Sequence, residues 1–170
     1  LVMGLYAFVY LVTMLTSAGA RGKIFNKEFM AQFDKEHQEA FGPETTAPTG
    51  GLPDDGNGYY SKNLSYAEWY EFNNAQRAHL NFLETAIPVG AMVLITAINE
   101  PLWALICACF LTLGRVAYAI GYRVKGPQGR IFGAIIVDLA LIAVFVGAIV
   151  SIVNWDMSGK VPRVIPASAE

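Results

Sequence analysis

Charge is scarce in this chain of 170 residues, because only 15% of its residues are Asp, Glu, Lys or Arg while 54% are hydrophobic. An ordinary soluble domain carries about a quarter charged residues, so this chain has too little charge to solvate the surface of such a domain. Residues 1–17 contain no charge, and residues 89–98 and 102–114 are equally free of it. The composition therefore excludes an ordinary soluble protein and predicts an integral membrane protein.

Cysteines and basic surfaces are also few. The two cysteines, Cys107 and Cys109, lie two residues apart in an apolar run, so on a helix they point to different faces. They can neither share a metal ion nor form an ordinary disulfide there, and we interpret them as packing residues. No metal site is predicted. With a net charge of −2 and no basic face interleaved with aromatic residues, the chain is not expected to bind nucleic acid.

Four apolar segments are long enough to cross a bilayer, which takes about 20 residues per helix. The loop over residues 123–130 carries three cations and no acid, so the positive-inside rule places this loop on the cytoplasmic side, together with the first loop, residues 20–74. No internal repeat is visible. We predict one all-α, four-helix membrane domain over residues 1–170, with spans at residues 1–19, 75–98, 101–122 and 131–154.

The first loop is long for so small a membrane protein. Residues 24–41 carry phenylalanines at helix-like intervals among polar residues, which predicts an amphipathic helix lying at the membrane interface. Residues 42–58 are rich in Pro and Gly and predict a turn-dense or mobile stretch. The aromatic residues that follow fit the belt that marks re-entry into the bilayer. They are Tyr59, Tyr60, Tyr66, Trp69 and Tyr70.

Polar side chains interrupt the second and third spans at matching depths, as two stripes whose members recur every three or four residues, like the residues on one helix face. Ionisable groups in a membrane span cost several kcal/mol unless they face a bundle interior, a water cavity or a ligand. We therefore predict that the two stripes line one polar pocket, open to the cytoplasmic side. The stripes are Arg77, Asn81 and Glu84, and Arg115, Tyr118 and Tyr122.

Other interpretations of these charges stay open. A network of ion pairs, such as Arg77 with Glu84, would only fasten the helices together, and it rarely needs so many groups at one level. For Arg115 and Asp138 alone, a structural ion pair is the favoured interpretation. His79 is interpreted as a packing or interfacial residue rather than as a base.

The side chains of the predicted pocket match a small zwitterionic peptide. Arg77 would bind a carboxylate through bidentate hydrogen bonds, and so would Arg21 if the first loop folds back. Glu84 would take an ammonium group, while Asn81 and tyrosine hydroxyls would hold amides. Apolar walls deeper in the bundle suit a lipid or a lipophilic second substrate that enters from the bilayer.

Two motifs resemble the MAPEG family, the membrane-associated proteins in eicosanoid and glutathione metabolism. Residues 76–84, Gln-Arg-Ala-His-Leu-Asn-Phe-Leu-Glu, with Pro88 after them, resemble the second-helix signature of that family. Residues 114–122 and the basic loop that ends in Arg130 resemble its third helix and the following loop. Thr85 stands where leukotriene synthase-like members carry Tyr.

The resemblance implies a homotrimer of four-helix subunits in the membrane of the endoplasmic reticulum or of another organelle, such as a mitochondrion or a plastid. It implies that glutathione is the co-substrate, bound between neighbouring subunits, and that Arg130 stabilises its thiolate. A nearby guanidinium lowers the pKa of a thiol, and the thiolate is the nucleophile. By the same resemblance, glutathione would be held by Arg21, Arg77, Asn81, Glu84, Tyr118 and Tyr122.

Two classes of function remain. The first is an enzyme that conjugates glutathione to lipophilic electrophiles or reduces lipid hydroperoxides, and the polar stripes together with Arg130 favour it. The second is a non-catalytic accessory or scaffolding subunit of a larger membrane complex. The long first loop, residues 20–74, favours such a docking role.

Overall fold

The structure, a computed structural model, describes residues 2–158 and consists of four long helices with a small folded segment between the first two. All four long helices are long and apolar enough to cross a membrane, which confirms the predicted number and order of spans. The long helices are α1 (Val2–Ile24), α4 (Tyr66–Asn99), α5 (Pro101–Gly129) and α6 (Ile131–Ser158). The short helices are α2 (Lys27–Ala31), α3 (Asp34–Phe41) and a 3₁₀ turn, Tyr60–Asn63.

Helix α4 begins nine residues before the predicted span, because a capping box starts it at Tyr66. The Ser65 hydroxyl accepts a bond from the backbone N–H of Glu68, and the Glu68 carboxylate accepts one from the backbone N–H of Ser65 at 3.0 Å. At 34 residues the helix is about 51 Å long, well beyond the roughly 30 Å of a hydrocarbon layer. Its first turns therefore stand outside the bilayer.

The four long helices share one apolar core. Helix α5 packs closely on α6, and two glycines make that approach possible. A Cβ on Gly114 would lie 2.8 Å from Cγ2 of Val137, and a Cβ on Gly133 would collide with the backbone of Tyr118. The close crossing fixes the height of the first turns of α6 against the middle of α5, which is where the polar residues of α5 lie.

At the far end of the bundle, three polar residues form hydrogen bonds between helices. The Asn99 side chain donates to the backbone carbonyl of Ser151 at 2.7 Å, and the Ser151 hydroxyl donates to the carbonyl of Thr96 at 3.0 Å. These bonds tie α4 to α6. Asn99, Ser151 and Thr96 are therefore structural residues.

The segment between α1 and α4, residues 25–65, folds into a compact unit that we call the cap. The prediction of one amphipathic helix over residues 24–41 was wrong, since α2 and α3 are separate helices that break at Gln32 and Phe33. Phe25 and Phe33 are buried and pack with Phe72 of α4 instead of facing a bilayer. The phenylalanine spacing reflects this internal core.

A single carboxylate organises the Pro/Gly-rich part of the cap. This part is turn-dense, which is one of the two possibilities that the sequence predicted. Asp54 is buried and accepts bonds of 2.6–2.8 Å from the backbone N–H groups of Gly56, Gly58 and Ser61 and from the Ser61 hydroxyl. Burial alone would raise the pKa of Asp54, but the bonds from Ser61, Gly56 and Gly58 outweigh it and hold the pKa below its usual value. The ionised carboxylate therefore stabilises the fold of this loop.

Candidate functional site

The end of α5 folds back on itself and carries Arg130 to the candidate site. The helix is interrupted at Gly126, whose φ of 63° is in the region that favours glycine, and Pro127 follows it. Gly121 and Gly129 then lie in direct backbone contact, because a Cβ on either would fall on the carbonyl oxygen of the other. This tight return places Arg130 beside the preceding turns of α5 rather than beyond them.

Arg130 lies against two buried tyrosines. Its Nη1 donates a 3.0 Å hydrogen bond to the hydroxyl oxygen of Tyr118. The guanidinium carbon is 5.8 Å from the centre of the Tyr118 ring and 5.7 Å from that of Tyr122, a geometry of cation–π contact. The structure thus brings together three of the residues that the sequence predicted for one pocket.

Arg115 is the most buried charge of the site, with 3% of its surface exposed. Its Nη1 donates a 2.7 Å bond to Oδ1 of Asn81, and its Nη2 donates a bond to Oγ1 of Thr85. The guanidinium also faces the rings of Phe82 and Tyr118, at 5.1 and 5.7 Å from their centres. Because Oδ1 of Asn81 is occupied by Arg115, the amide of Asn81 is fixed with its N–H₂ group free to donate.

The predicted ion pair between Arg115 and Asp138 does not form among the residues that the structure describes. The prediction assumed that a buried guanidinium needs a carboxylate on the next helix. Here the amide of Asn81 and the hydroxyl of Thr85, both on α4, accept from Arg115 instead. Asp138 is exposed in the single subunit and makes no hydrogen bond or ion pair with any described residue.

These polar groups enclose a cavity of about 140 Å³ between α4, α5 and α6. Both guanidinium groups and the carboxylate of Asp138 line it, so its ionised side chains carry a net positive charge. A positively charged cavity favours anions such as a thiolate or a carboxylate. The polar and charged residues of its wall are Asn81, Thr85, Arg115, Tyr118, Arg130 and Asp138.

Four predicted site residues do not line this cavity, and one of them, Tyr122, packs against Arg130 beside it. Arg77 and Glu84 are exposed on the outer side of α4, and no hydrogen bond or ion pair joins either of them to another described residue. Arg21 is directed into the cap, where its Nη1 donates to the backbone carbonyls of Gly50 at 3.0 Å and Asp54 at 2.7 Å. The single subunit therefore assembles only part of the predicted set.

The cap is fastened to the helix that carries Arg77. The residue before it, Gln76, donates through its side-chain amide to the carbonyl of Asp55 at 3.0 Å and accepts from the Ser17 hydroxyl at 2.8 Å. This link was not predictable from the sequence, in which Gln76 is one more member of the helix motif. His79 packs against Tyr10, with Nδ1 3.2 Å from the hydroxyl of Thr13, in keeping with a packing role.

The fold and the site define a class of helical membrane protein in which one buried arginine, one half-buried arginine and a buried tyrosine meet in a small polar cavity. A sequence profile of the MAPEG family matches residues 1–150. The chain therefore belongs to the MAPEG family, a group of membrane helical bundles linked to glutathione-dependent transfer and eicosanoid synthesis. Comparisons with curated proteins and with solved structures gave no match.

Proposed function

We propose that the protein is a membrane-bound glutathione transferase or peroxidase, which conjugates glutathione to lipophilic electrophiles or reduces lipid hydroperoxides. The observation that carries the proposal is the placement of Arg130 in a cavity with a second guanidinium, Arg115. A thiol bound there would lie next to concentrated positive charge, which lowers the pKa of a thiol and favours the nucleophilic thiolate.

The volume of the cavity indicates where the rest of glutathione would lie. About 140 Å³ is less than the 300 Å³ or more of most ligand pockets, so the cavity would hold the thiol end and not the whole tripeptide. The stripe of Arg77, Asn81 and Glu84 extends about 10 Å along α4 and suits the charged ends of the peptide. Asn81 belongs both to this stripe and to the wall of the cavity, and so connects the two.

A homotrimer completes this site in the proposal. Arg77 and Glu84 are exposed in the single subunit, at positions within a helix that spans the membrane. Exposure of the Glu84 charge to lipid would cost several kcal/mol, whereas a neighbouring subunit would enclose both side chains. Glutathione would then lie between subunits, with Arg77 at one of its carboxylates.

A lipophilic second substrate would use the apolar face beside the cavity. Helices α5 and α6 form a groove of about 750 Å³ whose walls are almost entirely apolar. Ile136 and Leu139, which flank Asp138 along α6, belong to this groove. An acyl chain in the groove would therefore lie on the face of α6 adjacent to the cavity.

Arg77→Ala tests the glutathione site most directly. We expect the variant to remain folded in mild detergent and to bind glutathione at least tenfold more weakly by calorimetry, because the loss of a charge-assisted bond costs about 1.5–3 kcal/mol. Arg123→Ala, which removes an exposed cation in the last turns of α5, is the matched control and should keep the wild-type affinity. Equal affinity in the wild type and in Arg77→Ala would exclude the proposed site.

A non-catalytic accessory subunit is the second candidate, and the cap favours it. Its 41 residues pack with Phe72 of α4 into a separate core around Phe25 and Phe33, and they add a folded surface to one end of the bundle. A wild-type protein that binds no glutathione, or that purifies only as one copy within a larger complex, would support this second function.

A further inference from the structure

Asp138 is the one carboxylate among the described residues that line the cavity, and no described group forms a hydrogen bond or an ion pair with it. It lies seven residues into α6, about 10 Å along an apolar span, and it lines the cavity without a hydrogen bond or an ion pair. A carboxylate at such a depth costs several kcal/mol and is retained where it has a function. The close crossing of α5 and α6 beside Val137 fixes the position of Asp138 on the cavity wall.

The groups that face Asp138 leave its carboxylate available for a ligand. The helices that pack most on α6 are α4 and α5. The Arg115 guanidinium donates its hydrogen bonds to acceptors on α4. Arg130 is close enough to Asp138 for the two charges to interact. The polar side chains of α4 that line the cavity are neutral. The titratable and polar side chains that line the cavity with Asp138 are Arg115, Tyr118 and Arg130, and Asn81 and Thr85.

The distances within the cavity are short. A volume of about 140 Å³ corresponds to roughly four or five water molecules. A sulfur atom beside Arg130 in a space of this size would lie within reach of the Asp138 carboxylate, directly or through one water. The cavity therefore places a cation for the thiolate and a base for the thiol proton around the same atom.

We propose that Asp138 is the catalytic proton carrier of this site, an inference that rests on the proposed glutathione reaction. The S–H bond of glutathione breaks, its proton passes to a carboxylate oxygen of Asp138, and Arg130 stabilises the thiolate that remains. In an addition to a polarised C=C bond, the sulfur forms a bond to carbon and the alkene electron pair moves to the neighbouring carbon. That carbanion takes the proton back from Asp138, so the addition consumes no other reagent.

The same proton balances the reduction of a hydroperoxide. The thiolate attacks the terminal oxygen, the O–O bond breaks, and the departing alkoxide takes the proton from Asp138. The glutathione sulfenic acid then reacts with a second glutathione, which gives the disulfide and water. In both reactions the carboxylate is ionised again at the end of the cycle.

Asp138→Asn tests the proposal, because it keeps the shape of the side chain and removes the base. Rapid mixing with glutathione would follow the ultraviolet absorbance of the thiolate, calorimetry would give the affinity, and single turnovers with an activated alkene would give the chemical rate. We expect unchanged affinity, and a fall of about 10²- to 10⁴-fold in the rates of thiolate formation and of conjugation, the usual contribution of a general base. Glu44→Gln, which neutralises an exposed carboxylate on the cap, should keep wild-type rates.

A structural role for Asp138 predicts a change in the opposite direction. If the carboxylate only offset the charges of Arg115 and Arg130, its neutralisation would leave more positive charge beside the thiol. Asp138→Asn would then form thiolate at least as fast as the wild type and bind anionic glutathione more tightly. Either result would overturn the proposal.

A second variant keeps the test decisive if Asp138→Asn does not fold. Asp138→Glu retains the charge but moves the carboxylate by one methylene, so it should form thiolate several-fold more slowly at unchanged affinity. A wild-type rate of thiolate formation in Asp138→Glu would overturn the proposal. Failure of the wild type itself to bind glutathione would contradict the proposed function instead, independently of Asp138.

Discussion

Gly121 and Gly129 touch through their backbones, and this contact sets the position of Arg130. No side chain fits at either position, since a Cβ on one glycine would fall on the carbonyl oxygen of the other. The contact closes the turn that Gly126 and Pro127 open. The position of the Arg130 guanidinium, which was predicted to act on sulfur, thus depends on two residues that have no side chain.

Gly121→Ala and Gly129→Ala should displace Arg130 while leaving the four-helix core intact. Overpacking of this kind costs about 1–3 kcal/mol, and here the turn would shift rather than the buried helices. We expect both variants to bind glutathione but to show reduced thiolate absorbance at neutral pH. Gly19→Ala is the control, because a Cβ there meets no atom within 4 Å. Wild-type absorbance in both variants would contradict this account of the turn.

Arg130→Ala should abolish the thiolate absorbance of bound glutathione while the peptide is still held along α4. Each unit by which a thiol pKa is lowered corresponds to about 1.4 kcal/mol of differential interaction, so the loss is measurable by titrating the absorbance against pH. Arg123→Ala and Lys125→Ala remove exposed cations near the end of α5 and should leave the absorbance unchanged. Loss of the signal in Arg123→Ala alone would assign the thiolate to another cation.

Thr85→Val should lower both stability and glutathione affinity, because it removes one of the two acceptors of the Arg115 guanidinium. A hydrogen bond to a charged group contributes about 1.5–3 kcal/mol, and Val keeps the shape of Thr. Thr112→Val is the control, since the Thr112 hydroxyl is buried and donates only to the carbonyl of Ala108 on its own helix. Thermal unfolding in detergent would compare the two. Equal effects would show that the Arg115 bond adds nothing.

The cap should open at acidic pH. The pKa of Asp54 is lower in the folded cap than its usual value, so the ionised carboxylate stabilises the fold above the unfolded pKa of about 3.9. This stabilisation is lost as the pH falls through the lower, folded pKa. Limited proteolysis with an acid-active protease should therefore cleave residues 42–58 increasingly below about pH 4. Asp54→Asn should be cleaved already at neutral pH, whereas Asp55→Asn, whose side chain is exposed, should not.

The oligomeric state is open to direct measurement. Mass determination of the intact protein in mild detergent should give three copies, because Arg77 and Glu84 are exposed in the single subunit within a membrane span. Arg77→Ala combined with Glu84→Gln should still assemble if apolar contacts drive association. A stable monomer that binds glutathione would show that one subunit completes the site alone.

The sequence predicted well what depends on periodicity. Four apolar runs gave the four spans, and the spacing of Tyr118 and Tyr122 placed both on the face that meets Arg130. Hydrogen-bond partners across helices were not predictable in this way. The prediction paired Arg115 with a carboxylate, because opposite charges are the obvious partners in an apolar setting. In the structure, an amide and a hydroxyl of α4 accept the hydrogen bonds of the Arg115 guanidinium instead.

The cap was predicted poorly for a related reason. Its fold depends on the Asp54 carboxylate, whose four donors include three backbone N–H groups, and backbone donors leave no mark on a hydropathy pattern. The phenylalanines at helical spacing were assigned to a bilayer because nothing local indicated that Phe72, far along the chain, would cover them. Tertiary contacts of this kind decide which apolar faces are internal.

The length of α4 has a consequence for how ligands arrive. With about 51 Å of helix, α4 extends beyond the hydrocarbon layer at the end that carries the cap, and Gln76 holds the cap next to the turn that bears Arg77. In the proposed function, a water-soluble ligand that approaches Arg77 from this side would pass alongside the cap, whereas a lipophilic substrate would enter laterally from the bilayer. The two entry routes would then be separate, and substitutions in the cap would affect the entry of the water-soluble ligand alone.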